Sequence, residues 1–182
     1  MASTLKINNL DTASGTTITI PTGKTLVGTD GQTFRAPGMV FQTIFAEHAS
    51  EVNLAAGGFI DSGLTATITP KSTSSKILVQ VSMQFRCQGA SGHDAGIGWR
   101  IVRGSTNVYT SATSYRIYTY ESGSDPAQIR GSDSFNHLDS PSSTSALTYK
   151  IQGQGYNAGS NSTLRMQDSS NQSSMVLMEI AQ

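Results

Sequence analysis

Three histidines, His48, His93 and His137, and one cysteine, Cys87, are the residues of this 182-residue chain best suited to ligating a metal or moving a proton. None of the histidines stands in an H-x-x-x-H spacing or beside a second cysteine, so no metal-ligand set is spelled out. His93 and Asp94 are adjacent in the glycine-rich stretch GASGHDAG, where an acid and a base can meet, but a solvated loop tip accounts for them equally well. Glu47 and His48 end an apolar run, as residues at a wet strand end do. The nearest candidates for carboxylate-pair hydrolysis are Glu121 with Asp125 and Asp133 with Asp139. That chemistry requires two carboxyl groups about 5 to 9.5 Å apart in a cleft. No G-x-S-x-G, P-loop or dinucleotide fingerprint is present. The expectation is a non-enzymatic chain with no catalytic residue, no metal and no cofactor.

One run carries recognition chemistry instead. In SATSYRIYTYES, Tyr115, Tyr118 and Tyr120 offer amphipathic rings and Arg116 a planar donor, a set that suits a surface on which a glycan stacks. The same tyrosines suit a strand packed on the core or on a neighbouring subunit. Trp99 alternates with Ile97 and Ile101 and reads as a core anchor.

The elements that must hold these residues are strands. From Lys76 to Cys87 the sequence KILVQVSMQFRC alternates strictly, with Ile77, Val79, Val81, Met83, Phe85 and Cys87 on one side. Leu64, Ala66 and Ile68 repeat the pattern, as do Leu147, Tyr149 and Ile151. Further runs near Met39 to Glu47, Asn107 to Ser111, Ser114 to Tyr120, Ala127 to Asp133 and Ser162 to Met166 bring the total to about nine or ten short strands, as a sandwich requires. Only Ala46 to Ala56 could form a turn of helix, ended by Gly57 and Gly58.

Composition agrees. Ser and Thr make up about a quarter of the chain and charged residues 13%. Twelve basic residues balance twelve acidic ones, so no field draws a polyanion and no nucleic-acid partner is expected. No apolar run approaches the roughly 20 residues needed to span a bilayer, and the opening MASTLKINN has no apolar core region or cleavage site, so neither membrane insertion nor secretion is expected. With one cysteine there is no intrachain disulfide.

Two features point to association. The run Met1 to Gly38 carries Ile18 and Ile20 on one side of a short extended piece, then Pro21 and recurrent turn glycines, with too little apolar surface for a core of its own. It reads as an extended stalk or docking arm, followed by a head over residues 39–182 with Ala36 to Gly38 as the joint. Within the head, SSMVLMEIAQ is apolar on both faces, and so is the run Met39, Val40, Phe41, Ile44, Phe45. Met39, Phe41, Phe45, Met175 and Leu177 are therefore expected at a subunit interface, with the first and last strands as neighbours.

The opening MASTLKINNLDTASGTTITIPTGKTLVGTDG with APGMVFQ at Ala36 to Gln42 resembles the start of many small fibre-like or capsid-associated proteins of tailed bacteriophages, marine ones especially. SKILVQVSMQF, STSALTYKIQGQG and SSMVLMEI look like the strands of the C-terminal head in that group, a jelly roll similar to the tumour-necrosis-factor and C1q-like trimers. The resemblance implies a homotrimer on the virion surface, made in the host cytoplasm and attached to other virion proteins through residues 1–38. A capsid decoration, head fibre or short tail appendage suits the length. Recognition of a host surface glycan by a tail-fibre module is the alternative, and a polysaccharide hydrolase a remote one. The resemblance transfers no catalytic residue.

Overall fold

A computed structural model describes residues 22–23, 36–111, 115–120, 127–157 and 162–182. The head lies within the unit Arg35–Gln182; of Met1–Phe34, only the turn residues Thr22 and Gly23 are described. Of the stalk expected over residues 1–38, all but Thr22, Gly23 and the joint residues Ala36 to Gly38 thus lies outside the described residues, as do Glu121 and Asp125.

Eleven strands follow one another: β1 (Val40–His48), β2 (Val52–Asn53), β3 (Ile60–Ile68), β4 (Lys76–Gln88), β5 (Ala95–Arg103), β6 (Thr106–Thr110), β7 (Ile117–Thr119), β8 (Gln128–Asp139), β9 (Leu147–Tyr156), β10 (Thr163–Met166) and β11 (Ser173–Ile180). They form two antiparallel sheets. In the first, β4 pairs with β8 along one side and with β11 and then β10 along the other, while β1 flanks β11 and β2 flanks β10. In the second, β9 lies between β3 and β5, and β6 and β7 share the far side of β5. The pairs β1 with β11, β3 with β9, β4 with β8 and β5 with β6 nest inside one another along the chain. That nesting is the jelly-roll winding, so the expected all-β antiparallel jelly-roll sandwich is the observed fold. The first and last strands are neighbours, as their shared apolarity foretold.

The period-two reading placed the core. Leu64, Ile68, Ile77, Val79, Met83, Ile97, Trp99, Ile101, Tyr149 and Ile151 are all at 1% exposure or less, and Trp99 is the core anchor expected of it. Ala46 to Ala56 forms no helix. β1 runs on to His48 because Ala46, Glu47 and His48 stay in register with Met175, Ser174 and Ser173, and β2 pairs with β10. The helical turn among the described residues is a 3₁₀ turn at Asp168–Ser170.

Two aspartates on the inward side of β8 join the sheets. Asp133 accepts the Trp99 indole N–H at 2.8 Å and pairs with Arg116 at 2.7 Å. Asp139 accepts the Tyr149 hydroxyl at 2.7 Å and pairs with Arg103 at 2.5 Å. Six residues along one strand separate them by about 20 Å, too far for a hydrolytic pair. Cys87 is buried, and desolvation pushes its thiol up to about 12, which leaves it inert at neutral pH.

The joint is a type II turn. Met39 N–H donates to the Ala36 carbonyl at 3.1 Å, Pro37 precedes Gly38, and Gly38 has φ 86, a value that glycine adopts without strain. Gly38 N–H donates to the Ala181 carbonyl and Ala181 N–H to the Met39 carbonyl, both at 2.9 Å, which fixes where the chain enters the sandwich. Nearby, Glu179 is fully buried and accepts the Gln42 amide at 2.6 Å and the Lys71 backbone N–H at 2.7 Å. Desolvation pushes this carboxyl up, but the hydrogen bonds outweigh it and hold it below the usual glutamate range.

Two outcomes test this fold. A Cβ at Gly153 would stand 2.7 Å from Met166 Sδ and 3.0 Å from the Trp99 ring, so Gly153→Ala is expected to cost about 1–3 kcal/mol in urea unfolding. A carboxylate held low contributes stability that is complete above its unfolded pKa and is lost as pH falls through the folded one. Wild-type stability is therefore expected to drop below about pH 4.5, and Glu179→Gln to lack that part of the drop when melting is followed across pH.

Candidate functional site

The outer faces of the two sheets differ in kind. Outside the second sheet, Asp61 pairs with Lys150 at 3.0 Å, Gln152 bonds both Asp61 and Arg100, and the Arg100 guanidinium lies 4.4 Å over the Phe59 ring. Thr67 and Thr148 meet at 2.8 Å. Such a face is made for water.

Outside the first sheet, the register sets up cross-strand rows. Phe45, Val176, Gln80 and Asn136 stand side by side, next to Thr43, Met178, Leu78 and Leu138, with Val40, Ile180 and Lys76 beyond. Phe45 is 59% exposed, Val40 50% and Leu138 47%, and between them lie the half-buried Val176, Met178 and Leu78. Toward the other end the rows turn polar, with Glu47 at the β1 end of the row that holds Ser174, Ser82 and Ser134. A shallow depression of about 330 Å³ there is lined by Gln80, Ser82, Ser134, Asn136, Ser174 and Val176. At the far end Arg165, Arg86 and Arg130 stand abreast on β10, β4 and β8. Three like charges in register repel, and the buried Asp168 offsets them at 3.4 Å from Arg130 and 3.6 Å from Arg165, with Glu51 3.1 Å from Arg165. No spacing in the sequence announces this row, because it exists only once the register is known.

The expected interface residues divide. Met39 and Phe45 are exposed and Phe41 is half-buried, but Met175 and Leu177 are wholly inside the chain's own core. The double-sided apolarity of β11 is real; its outward side consists of Val176 and Met178, one position out of phase with the residues named from the sequence. A one-residue shift changes the face.

The expected ligand surface also divides. Arg116 is held by Asp133 at 2.7 Å and lies 5.8 Å over the Phe135 ring, which ties the sheets together, while its side chain stays 37% exposed. Tyr120 is 65% exposed. Tyr115 and Tyr118 stack with centroids 4.6 Å apart, and Tyr156, which sequence reading passed over, adds a third ring 5.0 Å from Tyr115. Gly96 pairs with Tyr118 on β7 and with Tyr156 on β9, and Tyr115 covers the space its missing side chain leaves. At the rim Asp94 accepts the Tyr118 hydroxyl at 2.9 Å and also the Asn157 amide. The Asn157 amide first, and the Tyr118 hydroxyl after it, hold the Asp94 carboxyl below its ordinary range against desolvation. His93 beside it is exposed; His48 is half-buried against Gly63; His137 lies beside Tyr109. Among the described residues no group of three or more His, Cys, Asp or Glu is placed to hold a metal, and no helix is long and apolar enough to cross a membrane.

No family model and no curated protein matches the chain. Among solved structures it is similar to a mutant VP2 protein of infectious bursal disease virus from derived T=1 particles, with 13% identity and a TM-score of 0.43 over 86% of this chain and 40% of that one. It is similar to the structure of the Gx strain of that virus, with 14% identity and a TM-score of 0.37 over 86% and 36%. Dimeric latent PorU from Porphyromonas gingivalis gives 11% identity and a TM-score of 0.38 over 85% and 14%. The chain thus spans 40% or less of each of these proteins, and at such scores the likeness carries no information about function.

The row of rings depends on Gly96. A Cβ there would stand 2.7 Å from Tyr115 Cβ and 2.9 Å from the Ile117 carbonyl oxygen, so Gly96→Ala is expected to push Tyr115 off the sheet. Near-ultraviolet circular dichroism should lose tyrosine signal, with about 1–3 kcal/mol of stability lost in urea.

Proposed function

We propose that this chain is a non-enzymatic structural protein of a bacteriophage virion: a homotrimer that displays its jelly-roll head at the virion surface and attaches to other virion proteins through residues 1–38. The observation that carries this reading is the outer face of the first sheet, where Phe45, Val176, Met178, Leu78 and Leu138 form an apolar patch whose row-mates Thr43, Gln80 and Asn136 are uncharged. An apolar patch of that kind on a sheet face is the mark of a partner site, and a further copy of the same chain is the partner proposed. In a closed three-fold ring the contact is head-to-tail, so a surface on this face of each subunit meets a different surface of the next and the ring leaves neither half of the contact open.

The second sheet's ion-paired outer face then points outward. The joint at Ala36 to Gly38 enters β1 beside Val40 and pairs with Ala181 just after β11. Three-chain pairing relieves an arm too poor in apolar residues to fold alone. A capsid decoration, head fibre or small tail appendage is the place proposed for it.

Light scattering at micromolar concentration tests the assembly. About three times the 19.2 kDa chain mass is expected for the full chain. Leu78→Glu, which sets a charge in the middle of the apolar rows, is expected to give a folded monomer. A wild-type monomer would overturn the reading.

A further inference from the structure

We propose that Phe45 of one copy seats its ring in the depression between β4, β8 and β11 of the next copy. The inference rests on the trimer reading above and names the two surfaces that meet. Phe45 is 59% exposed, the most open of the large apolar residues on the outer face of the first sheet. Ile44 and Ala46 on either side of it pack against the core, so the ring points the other way. The depression of about 330 Å³ opens on the same face, and Phe45 does not line it. Gln80 and Asn136, which do, stand two and three strands from Phe45, about 10 and 14 Å away. The ring of the same chain therefore leaves the depression open.

Size and chemistry both suit an aromatic ring. An apolar cavity of about 150 Å³ is enough to hold benzene, so there is room. Val81, Val176 and Phe135 give the depression apolar surface, and the rest of its lining is neutral amide and hydroxyl. An ionic ligand finds no counter-charge there. The Ser82 hydroxyl is already bonded to that of Ser132 at 2.7 Å, so a ring laid over it leaves that pair satisfied. An exposed aromatic side chain that fills a pocket on the partner is the kind of anchor on which interfaces depend.

Knob and hollow are also level. Phe45, Val176, Gln80 and Asn136 share one cross-strand row, with Phe45 at the β1 margin of the face and Asn136 at the β8 margin. Rotation about an axis parallel to the strands keeps that level and brings the β1 margin of each copy against the β8 margin of the next. The two margins are different surfaces of one subunit, as a closed ring of three requires.

Cross-linking with bismaleimidoethane tests the contact in the full chain, using Phe45→Cys, Asn136→Cys and the double variant. Cys87 is buried and stays out of the reaction. The double variant is expected to give covalent trimer on a denaturing gel and the single variants none, because the two positions lie three strands apart within one chain and the short reagent cannot join them there. Phe45→Ala should raise the dissociation constant of the trimer at least about tenfold in sedimentation velocity. Cross-linking of either single variant, a double variant that stays uncross-linked while trimeric, or an unchanged dissociation constant in Phe45→Ala would each overturn the contact and leave the trimer standing. A wild-type monomer would overturn both.

Discussion

The head depends on strict alternation along β4, the longest of the described strands, which is paired on both sides over nearly its whole length. Its inward positions, Ile77 through Cys87, are buried without exception. That dry side fixes the register of β8, β11 and β10 on β4, because a slip of one residue would turn every partner's apolar set outward. The register in turn fixes the second sheet, since Trp99 and Tyr149 reach across to Asp133 and Asp139 on β8. It also fixes the outer face. Leu78 cannot turn inward without exposing Ile77 and Val79, so it stays half-buried on the outer face beside Met178 and Leu138.

That constraint explains what the sequence disclosed. Alternation in KILVQVSMQFRC and in Gly96 to Arg103 named the core residues correctly, and the sandwich class followed from the number and spacing of the strands, while the jelly-roll winding was what the family resemblance implied. Pairing of the first and last strands was legible from their shared two-sided apolarity. Which side of β11 faces out was not legible, because both sides are apolar and phase is set by the partner strand; Met175 and Leu177 went inward and Val176 and Met178 outward. Ala46 to Ala56 lacks a strong strand pattern of its own, and its extended form comes from β11 and β10.

The candidate sites were legible in type more than in membership. Tyr115 and Tyr118 stood out as a short aromatic run. Tyr156 joins them only because β5 brings β7 and β9 together across Gly96, a contact between residues 41 positions apart in the chain. Arg116 looked like a recognition donor by proximity in sequence, yet its shortest route is to Asp133, where it also shields the indole hydrogen bond of Trp99. The arginine row across β10, β4 and β8 is likewise a product of register. In each case the residue type was informative and the neighbour was not predictable from spacing along the chain.

The central claim is that copies of the chain cover the outer face of the first sheet. Hydroxyl-radical footprinting of the full chain, read at Met178 and Leu138 over a dilution series, addresses it most directly, because both side chains point outward and neither belongs to the intrachain core. The account predicts strong protection of both at micromolar concentration and rising oxidation as dilution separates the subunits. Oxidation at Met178 and Leu138 that is full at every concentration would contradict it.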